Sequence, residues 1–293
     1  MATVHALDAV NPEHLALLER RTSEQVGRPA LSDAPRSAGP ERLTAISLGD
    51  PERPDALLVG FSYGRSHLDA EPLGSHGVRA EDLEEMVPDL MEAVANQVDR
   101  VRIWLHRPDP ELTATLRRLG FTLESSLIEM HVALPISADP RPSGLQLRPF
   151  LPGVDDDAWL EVNRRSFQGH PEQGAWSRGD IAARRAEAWF DPEGFICAWE
   201  DRSLAGSCWT KVHHEGGVDR GEIYVIGVDP SQQGKGLGRE LVLAGFEHLA
   251  SCGCREGFLS VRDDNDAALK LYADLGMREQ RRSELWSRAT NVS

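Results

Sequence analysis

The 293-residue chain carries the same pattern twice, once in each half. Val101–Phe121 and Gly257–Met277 both read as a strand, a polar turn, a short helix and then a Leu-Gly pair before another strand. The two segments align without gaps, and in this alignment Leu116 falls on Tyr272. Self-similarity over such a distance indicates an internal duplication. We therefore predict two tandem copies of one α/β unit.

A proline-rich stretch divides the chain near its middle. Residues 135–144 contain three prolines and two serines, a composition typical of a stiff connector. The chain is long enough for two ordinary domains, since most domains have about 100–200 residues. We predict one domain over residues 1–134 and a second over residues 145–293, each with an α/β fold around a mixed sheet.

The composition indicates a globular protein with an acidic surface. The net charge is −15 and no basic run is visible, which disfavours nucleic acid and anionic membranes as partners. No apolar run approaches the ~18 residues needed to span a bilayer, and the first residues lack a secretory pattern. We expect a cytoplasmic protein that acts as a monomer on a small molecule.

The cysteines and histidines give little support for a metal site. Four cysteines are too few and too scattered for a disulfide framework. Cys252 and Cys254 form a C-x-C pair, but no second pair stands at zinc-finger spacing. His213 and His214 are adjacent on a predicted strand, so their side chains point to opposite faces. We expect free thiols and no metal cofactor.

A glycine-rich loop follows a predicted strand that ends at Asp229-Pro230 and leads directly into a helix. The loop, Gln233–Arg239, contains three glycines, which allow a positive φ and close approach of the backbone to a ligand. Its N–H groups and the helix N-terminus favour an anion, and Lys235 and Arg239 add positive charge. The spacing is neither that of a nucleotide P-loop nor that of a dinucleotide fold. It predicts a phosphate site of another kind.

The spacing Gln233-x-x-Gly236-x-Gly238 resembles the pyrophosphate loop of the GNAT acetyltransferase superfamily. The segments Asn265–Tyr272 and Leu275–Met277 resemble two further motifs of that superfamily, in the same order. The resemblance implies acetyl-CoA as co-substrate and two tandem GNAT domains. It also implies a set of cofactor-binding residues: Ile226, Gly227, Val228, Gln233, Gly234, Lys235, Gly236, Leu237, Gly238, Arg239, Asn265, Asp266, Ala267, Ala268, Leu269 and Lys270.

Amine acetylation requires a neutral amine, because an ammonium group has no lone pair. A carboxylate can remove the proton directly or through one water molecule. By resemblance, Glu222 on the strand before the loop is the base, and Tyr272 is the acid that protonates the leaving thiolate. Backbone N–H groups of Ile226–Val228 are placed to stabilise the oxygen of the tetrahedral intermediate.

The region from Leu145 to Trp286 resembles one two-domain GNAT family more closely, the mycothiol synthases. Segments 170–176, 189–195, 209–213 and 221–230 carry this resemblance. It implies acetylation of the cysteinyl amine of cysteinyl-glucosaminyl-inositol. It also implies a set of substrate-binding residues, with the first from the N-terminal domain: Asp33, Glu172, Lys211, Glu222 and Ser260.

The chain departs from the family pattern at several positions. Ser260 and Arg262 stand where the family has a tyrosine and a glutamate, which puts substrate contacts there in doubt. In the first half, Glu71–Arg79 corresponds to the phosphate loop but has lost its glycine spacing, and Leu116 replaces the tyrosine. We predict that the first domain is not catalytic.

Two other functions remain open at this point. One is a GNAT enzyme for another amine, such as an aminosugar or a peptide N-terminus. The other is a CoA-binding sensor without catalysis. Turnover with a panel of amines distinguishes the enzymes from each other, and tight CoA binding without any product would identify the sensor.

Overall fold

A computed structural model of the protein describes residues 2–5, 10–26, 31, 43–50, 52–138, 143–168, 176–215 and 218–290. The elements of the first half are β1 (Ala2–His5), α1 (Pro12–Val26), β2 (Leu43–Asp50), β3 (Arg53–Tyr63), β4 (His67–Gly74), α2 (Ala80–Val94), β5 (Arg100–Leu105), α3 (Pro110–Arg118) and β6 (Thr122–Ala133). Those of the second half are β7 (Gln146–Pro149), α4 (Asp156–Ser166), α5 (Arg178–Arg185), β8 (Phe195–Glu200), β9 (Ser203–Glu215), β10 (Val218–Val228), α6 (Leu237–Ser251), β11 (Glu256–Arg262), α7 (Asp266–Asp274) and β12 (Arg278–Ala289).

The chain forms two compact units, residues 1–127 with 281–293, and residues 128–280. Unit 1 has the strand order β1-β2-β3-β4-β5-β12, and β4 and β5 are its parallel pair. Helix α2 packs on this sheet through apolar residues at helical spacing, among them Leu83, Met86, Val87 and Leu90. Its first turn is closed by Asp82, whose carboxylate accepts hydrogen bonds from the backbone N–H and the guanidinium of Arg79.

Unit 2 has the strand order β7-β8-β9-β10-β11-β6, and β10 and β11 are its parallel pair. Helices α6 and α7 pack on one face of the sheet, where Leu241, Phe246 and Tyr272 share a core. Helices α4 and α5 pack on the opposite face, around Trp159 and Trp209. The sheet is therefore buried on both faces, and the end of the β10–β11 pair is the position at which ligands bind in open α/β sheets.

Each unit contains a strand from the other half of the sequence. Strand β12, the last of the second half, belongs to the sheet of unit 1, and β6, the last of the first half, belongs to the sheet of unit 2 from Ile128 onward. Glu284–Ala289 of β12 pairs with Leu105–Arg100 of β5 inside unit 1. In unit 2, the part of β6 from Ile128 onward lies beside β11, and the Leu134 N–H donates to the Arg255 carbonyl. The compact units therefore differ from the predicted division into residues 1–134 and 145–293. A strand from the other half covers an edge of β5 or β11 that would otherwise be unpaired.

The structure confirms the duplication. Helices α3 and α7 each have nine residues, and each begins at a side-chain N-cap, Asp109 or Asn265. The Leu-Gly pairs that follow end at Gly120 and Gly276, with φ values of +82° and +83°. Positive φ at both sites explains why glycine stands there.

One local prediction was wrong. The segment Glu71–Arg79 was predicted to be a loop, but its first four residues belong to strand β4, and the turn before α2 is correspondingly short. Helix α5 is capped by Ser177, and Asp180 supports this cap from the third helical position. None of the described helices is long and apolar enough to cross a membrane.

Candidate active site

Strand β10 separates from β11 halfway along its length. Their parallel register runs from Arg220↔Glu256 to Ile223↔Leu259 and stops there, although β10 continues to Val228. A β-bulge at Tyr224 accompanies the separation, because Ile223 and Val225 pair with consecutive residues of β9. The parallel register ends before Ile226–Val228, which leaves an opening on the β11 side of these residues, and the Val228 carbonyl accepts a hydrogen bond from Nε2 of Gln233 at 3.2 Å. A thioester or a pantetheine chain can occupy such an opening.

The glycine-rich loop lies directly after this opening. Gly234 and Gly236 have φ values of +76° and +90°, and Gly236 is the N-cap of α6. Both conformations are unfavourable for side chains other than glycine. Within the described part of the chain, the buried Nε atom of Arg239 has no hydrogen-bond partner. A guanidinium group in the first turn of a helix, with a donor left unsatisfied, fits the pyrophosphate of CoA.

Asp229 anchors the start of the loop. Its carboxylate accepts hydrogen bonds from the N–H and the hydroxyl of Ser231, and Arg165 on α4 contacts the other oxygen at 2.6–2.7 Å. Burial disfavours the charged form of Asp229, but the hydrogen bonds from Ser231 and Arg165 outweigh this effect and hold its pKa below the usual value. The start of the loop is therefore tied to α4 by the ion pair between Asp229 and Arg165.

Glu222 lies on β10 just before the opening and points to the α4 face. Its Oε2 atom is 2.7 Å from Nε2 of His213 on β9, and both side chains are largely buried, with 19% and 15% exposure. In the same antiparallel register, Lys211 is the residue directly opposite Glu222. Glu222 therefore lies beside two side chains that can carry positive charge, and one of them fixes its orientation.

Lys211 extends over an aromatic surface formed by β10 and the segment before β8. Its ammonium lies 4.8 Å from the centre of the Trp189 ring and 5.5 Å from that of Tyr224. Cation–π contacts of this kind hold the side chain in place and orient its charge. Lys211 therefore shares one sheet face with Glu222.

Tyr272 lies on the opposite face, within the core beneath α6 and α7. Burial, with a smaller contribution from Cys208, raises the pKa of the phenol well above its usual value. Tyr272 therefore keeps its proton across the physiological range. The residues Asn265–Lys270, predicted to bind CoA, form the cap and first turns of the same helix.

Comparison with known proteins identifies the relatives of the chain. Residues 157–277, which contain the opening and the loop, match the model of the Acetyltransferase (GNAT) family. A mycothiol acetyltransferase of Thermobispora bispora is 45% identical over 262 residues, covering 84% of this chain and 88% of that protein. Another, from Geodermatophilus obscurus, is 38% identical over 248 residues, covering 80% of each chain.

The chain belongs to the mycothiol acetyltransferase family. This confirms the resemblance inferred from the sequence. Among solved structures, a tandem GNAT protein of the clavulanic acid biosynthesis pathway matches with a TM-score of 0.72, covering all of both chains at 17% identity. At that identity the match shows the fold alone, which is two tandem GNAT domains.

The remaining substrate-binding residues implied by the family resemblance are not brought together with Glu222 in the described part of the chain. Asp33 and Glu172 lie outside the described residues. Ser260 is exposed on β11, one residue beyond the last paired position. Arg262 forms a two-point ion pair with Asp264, at 2.6 and 2.9 Å, so its charge is held at the end of β11. In the described structure, Glu222 and Lys211 are brought together.

Two side chains near Glu222 and the opening, His213 and Ser166, were not among the predicted site residues. His213 was not expected to bind a metal, and it shares a strand face with Lys211 because the two are separated by one residue. Ser166 at the end of α4 faces the backbone of Gly227, where an added Cβ would lie 3.2 Å from Cβ of Ser166. The Ser166 hydroxyl is buried and has no hydrogen-bond partner among the described residues. Strand alternation could have found His213, whereas Ser166 depends on tertiary packing.

A further polar cluster lies on the same sheet face. Phe258 stands opposite Glu222 in the β10–β11 register, and its ring centre lies 5.4 Å from those of both His213 and His131. Burial disfavours the charged form of His131, but hydrogen bonds with Glu129 and Glu256 outweigh it and raise the pKa. The face around Glu222 is thus lined by acidic and imidazole groups.

Proposed function

We propose that unit 2 transfers the acetyl group of acetyl-CoA to the cysteinyl amine of cysteinyl-glucosaminyl-inositol. The observation that carries this proposal is the position of Glu222, a largely buried carboxylate one residue before the point where β10 and β11 separate. The loop Gln233–Arg239 begins just beyond the end of β10. One strand therefore supplies both the base and the approach to the cofactor site.

Glu222 accepts the proton that the amine loses before or during attack. The hydrogen bond with His213 orients the carboxylate before the substrate binds, so that less entropy is lost when the transition state forms. An α-amine has an ordinary pKa of about 7.7–8.0 and is mostly protonated at neutral pH, so a positioned base raises the reactive fraction. The N–C bond forms first and gives a tetrahedral intermediate, the C–S bond then breaks, and the amine proton moves to Glu222.

The cofactor is held by the loop and by the strand edge before it. N–H groups of the loop and the Arg239 guanidinium fit the pyrophosphate, and the backbone of Ile226–Val228, beyond the last β10–β11 pair, fits the pantetheine amides and the thioester oxygen. Acetyl-CoA supplies the activated acetyl group. Tyr272, which retains its proton, donates to the departing thiolate so that CoA leaves as the thiol.

The substrate chemistry agrees with the charges on the Glu222 face. A cysteinyl amine is cationic until it is deprotonated, and sugar and inositol hydroxyls donate well to carboxylates. Glu222 serves the amine, whereas Lys211 can donate to hydroxyl oxygens beside it. We propose that Asp33, Glu172 and Ser260 add further contacts, as the family resemblance implies.

The proposed reaction uses a small-molecule acceptor and no metal, and the active form is a monomer in the cytoplasm. Neither nucleic acid nor a membrane takes part, in agreement with the net charge of −15. Unit 1 is not catalytic in this proposal. Its counterpart to the glycine loop begins within β4, and Leu116 occupies the position that Tyr272 has in unit 2.

The test is turnover of the purified full-length chain with acetyl-CoA. Cysteinyl-glucosaminyl-inositol is compared with glucosaminyl-inositol, cysteine, free aminosugars and a peptide N-terminus, and product is detected by mass. We expect kcat/KM for the cysteinyl compound to exceed the others by about 100-fold or more, since several polar contacts distinguish it. Equal or better turnover of another amine would identify that amine as the substrate instead. CoA binding without any product would favour a CoA-binding sensor that has no catalytic activity.

A further inference from the structure

Three metal-ligating side chains meet at the C-terminal end of α6, in unit 2. Asp191, His248 and Cys252 each present one donor atom, and the three atoms lie within 4.8 Å of one another. Nε2 of His248 is 3.1 Å from Oδ2 of Asp191 and 3.5 Å from Sγ of Cys252. We propose that this cluster binds a divalent transition metal, and that Zn²⁺ fits it best.

Two of the three donor–donor separations agree with tetrahedral coordination. With Zn–N of about 2.0–2.1 Å and Zn–S of about 2.3 Å, a tetrahedral angle places N and S about 3.5 Å apart. The observed separation between His248 and Cys252 is 3.5 Å. The corresponding N–O separation is about 3.3 Å, and that to Asp191 is 3.1 Å, within the ±0.2 Å tolerance expected of such a site. All three donor atoms lie within 4.8 Å of one another, close enough for one ion to contact them together.

The surrounding backbone holds the ligands in this arrangement. His248 lies in the last turn of α6 and Cys252 is the C-cap four residues later, so the two lie on the same side of the helix end. The backbone N–H of Glu193 donates to Oδ1 of Asp191 at 3.0 Å, which leaves Oδ2 turned toward His248. An added Cβ on Gly194 would be 2.8 Å from Nε2 of His248, so glycine keeps the space beside this nitrogen open.

The chemistry of the donors selects the metal. A thiolate, an imidazole and a carboxylate suit Zn²⁺ and Co²⁺, whereas Mg²⁺ and Ca²⁺ prefer oxygen ligands alone. The carboxylate and thiolate balance the charge of the ion, and the negative end of the α6 dipole adds to the attraction. Asp191 and Cys252 reach the surface, which leaves room for water as the fourth ligand.

The site lies far from the cofactor loop. Helix α6 starts at the cofactor loop and has 15 residues, so the cluster lies about 21 Å away at the other end. A bound ion joins the helix end to the turn at Asp191 before β8. The C-x-C pair does not supply the site, because Cys254 is buried and only Cys252 of the pair belongs to the cluster.

The experiment uses Co²⁺ as a spectroscopic probe on the reduced, chelator-treated full-length chain without an affinity tag. We expect one equivalent to produce thiolate-to-cobalt charge-transfer absorption, which Zn²⁺ then displaces. Cys252→Ser should abolish the band. His248→Gln should weaken Zn²⁺ binding by about 100-fold or more, given that losing an outer-shell partner alone costs 10–100-fold.

His214→Gln is the matched control, because His214 forms an exposed pair with Asp219 at 2.8 Å outside the cluster. This variant should bind Co²⁺ like the wild type. Asp191→Asn provides a second ligand variant, and circular dichroism confirms that each variant folds. The absence of the charge-transfer band in the wild type would overturn the proposal, as would a band that survives in Cys252→Ser.

Discussion

Nε2 of His213 lies 2.7 Å from Oε2 of Glu222, and the two side chains extend from adjacent antiparallel strands. If His213 positions the carboxylate, His213→Ala should lower kcat by about 10-fold, the effect of losing one hydrogen bond to a charged group. His213→Gln keeps a donor and should recover part of the rate. Steady-state kinetics with saturating acetyl-CoA measures both variants.

The neighbouring histidine provides the control. His214 is 73% exposed and pairs with Asp219, so His214→Ala should leave kcat unchanged. The Michaelis constant for acetyl-CoA should stay constant in all three variants, because His213 does not lie in the cofactor loop. Equal kcat for His213→Ala and the wild type would remove His213 from catalysis.

Arg239 should contribute to cofactor binding through the pyrophosphate. Because charge-assisted hydrogen bonds are worth about 1.5–3 kcal/mol, Arg239→Gln should weaken acetyl-CoA binding by about 10–100-fold. Calorimetry with CoA checks this. With acetyl-pantetheine, which lacks the pyrophosphate, wild type and variant should give the same kcat/KM.

The control for a lost surface charge is Arg164→Gln, since Arg164 is exposed and pairs with Glu161 outside the loop. It should bind CoA normally. A loss of acetyl-pantetheine turnover in Arg239→Gln as large as the loss with acetyl-CoA would show that Arg239 acts on something other than the pyrophosphate.

Tyr272→Phe should lower kcat by about 100-fold while CoA binding stays normal, because general acids typically contribute 10²–10⁴-fold. The protonated phenol is the active form, and burial raises its pKa above the usual value of about 10. The wild-type rate should therefore show no loss from tyrosine ionisation up to pH ~10. The pH–rate profile measures this.

Phenylalanine preserves the packing beneath α6 and α7, so thermal unfolding should confirm that the variant is as stable as the wild type. An unchanged kcat would assign Tyr272 a structural role. A basic limb below pH 10 that disappears in Tyr272→Phe would contradict the assigned protonation state.

The sequence was sufficient to predict the features carried by local motifs. The glycines of the cofactor loop and the repeated strand–turn–helix pattern could both be predicted, because each depends on residues close together in the chain. These features also led to the correct family.

The sequence was not sufficient for features that depend on strand register. The pairing of His213 with Glu222 and the bulge at Tyr224 arise from which residues face each other across β9 and β10. The exchange of β6 and β12 between units, and the meeting of Asp191 with His248, join distant parts of the chain. No local pattern specifies such contacts.

The assignment of Glu222 as the base is tested by the rate of Glu222→Gln with cysteinyl-glucosaminyl-inositol at neutral pH, together with the affinity of this variant for CoA. Glu247→Gln, an exposed change on α6, is the control and should behave like the wild type. We predict that kcat of Glu222→Gln falls by about 10²–10⁴-fold, the usual contribution of a general base, and rises with pH as the free amine accumulates. CoA affinity should be unchanged. A kcat equal to that of the wild type at neutral pH would contradict the assignment of Glu222 as the base.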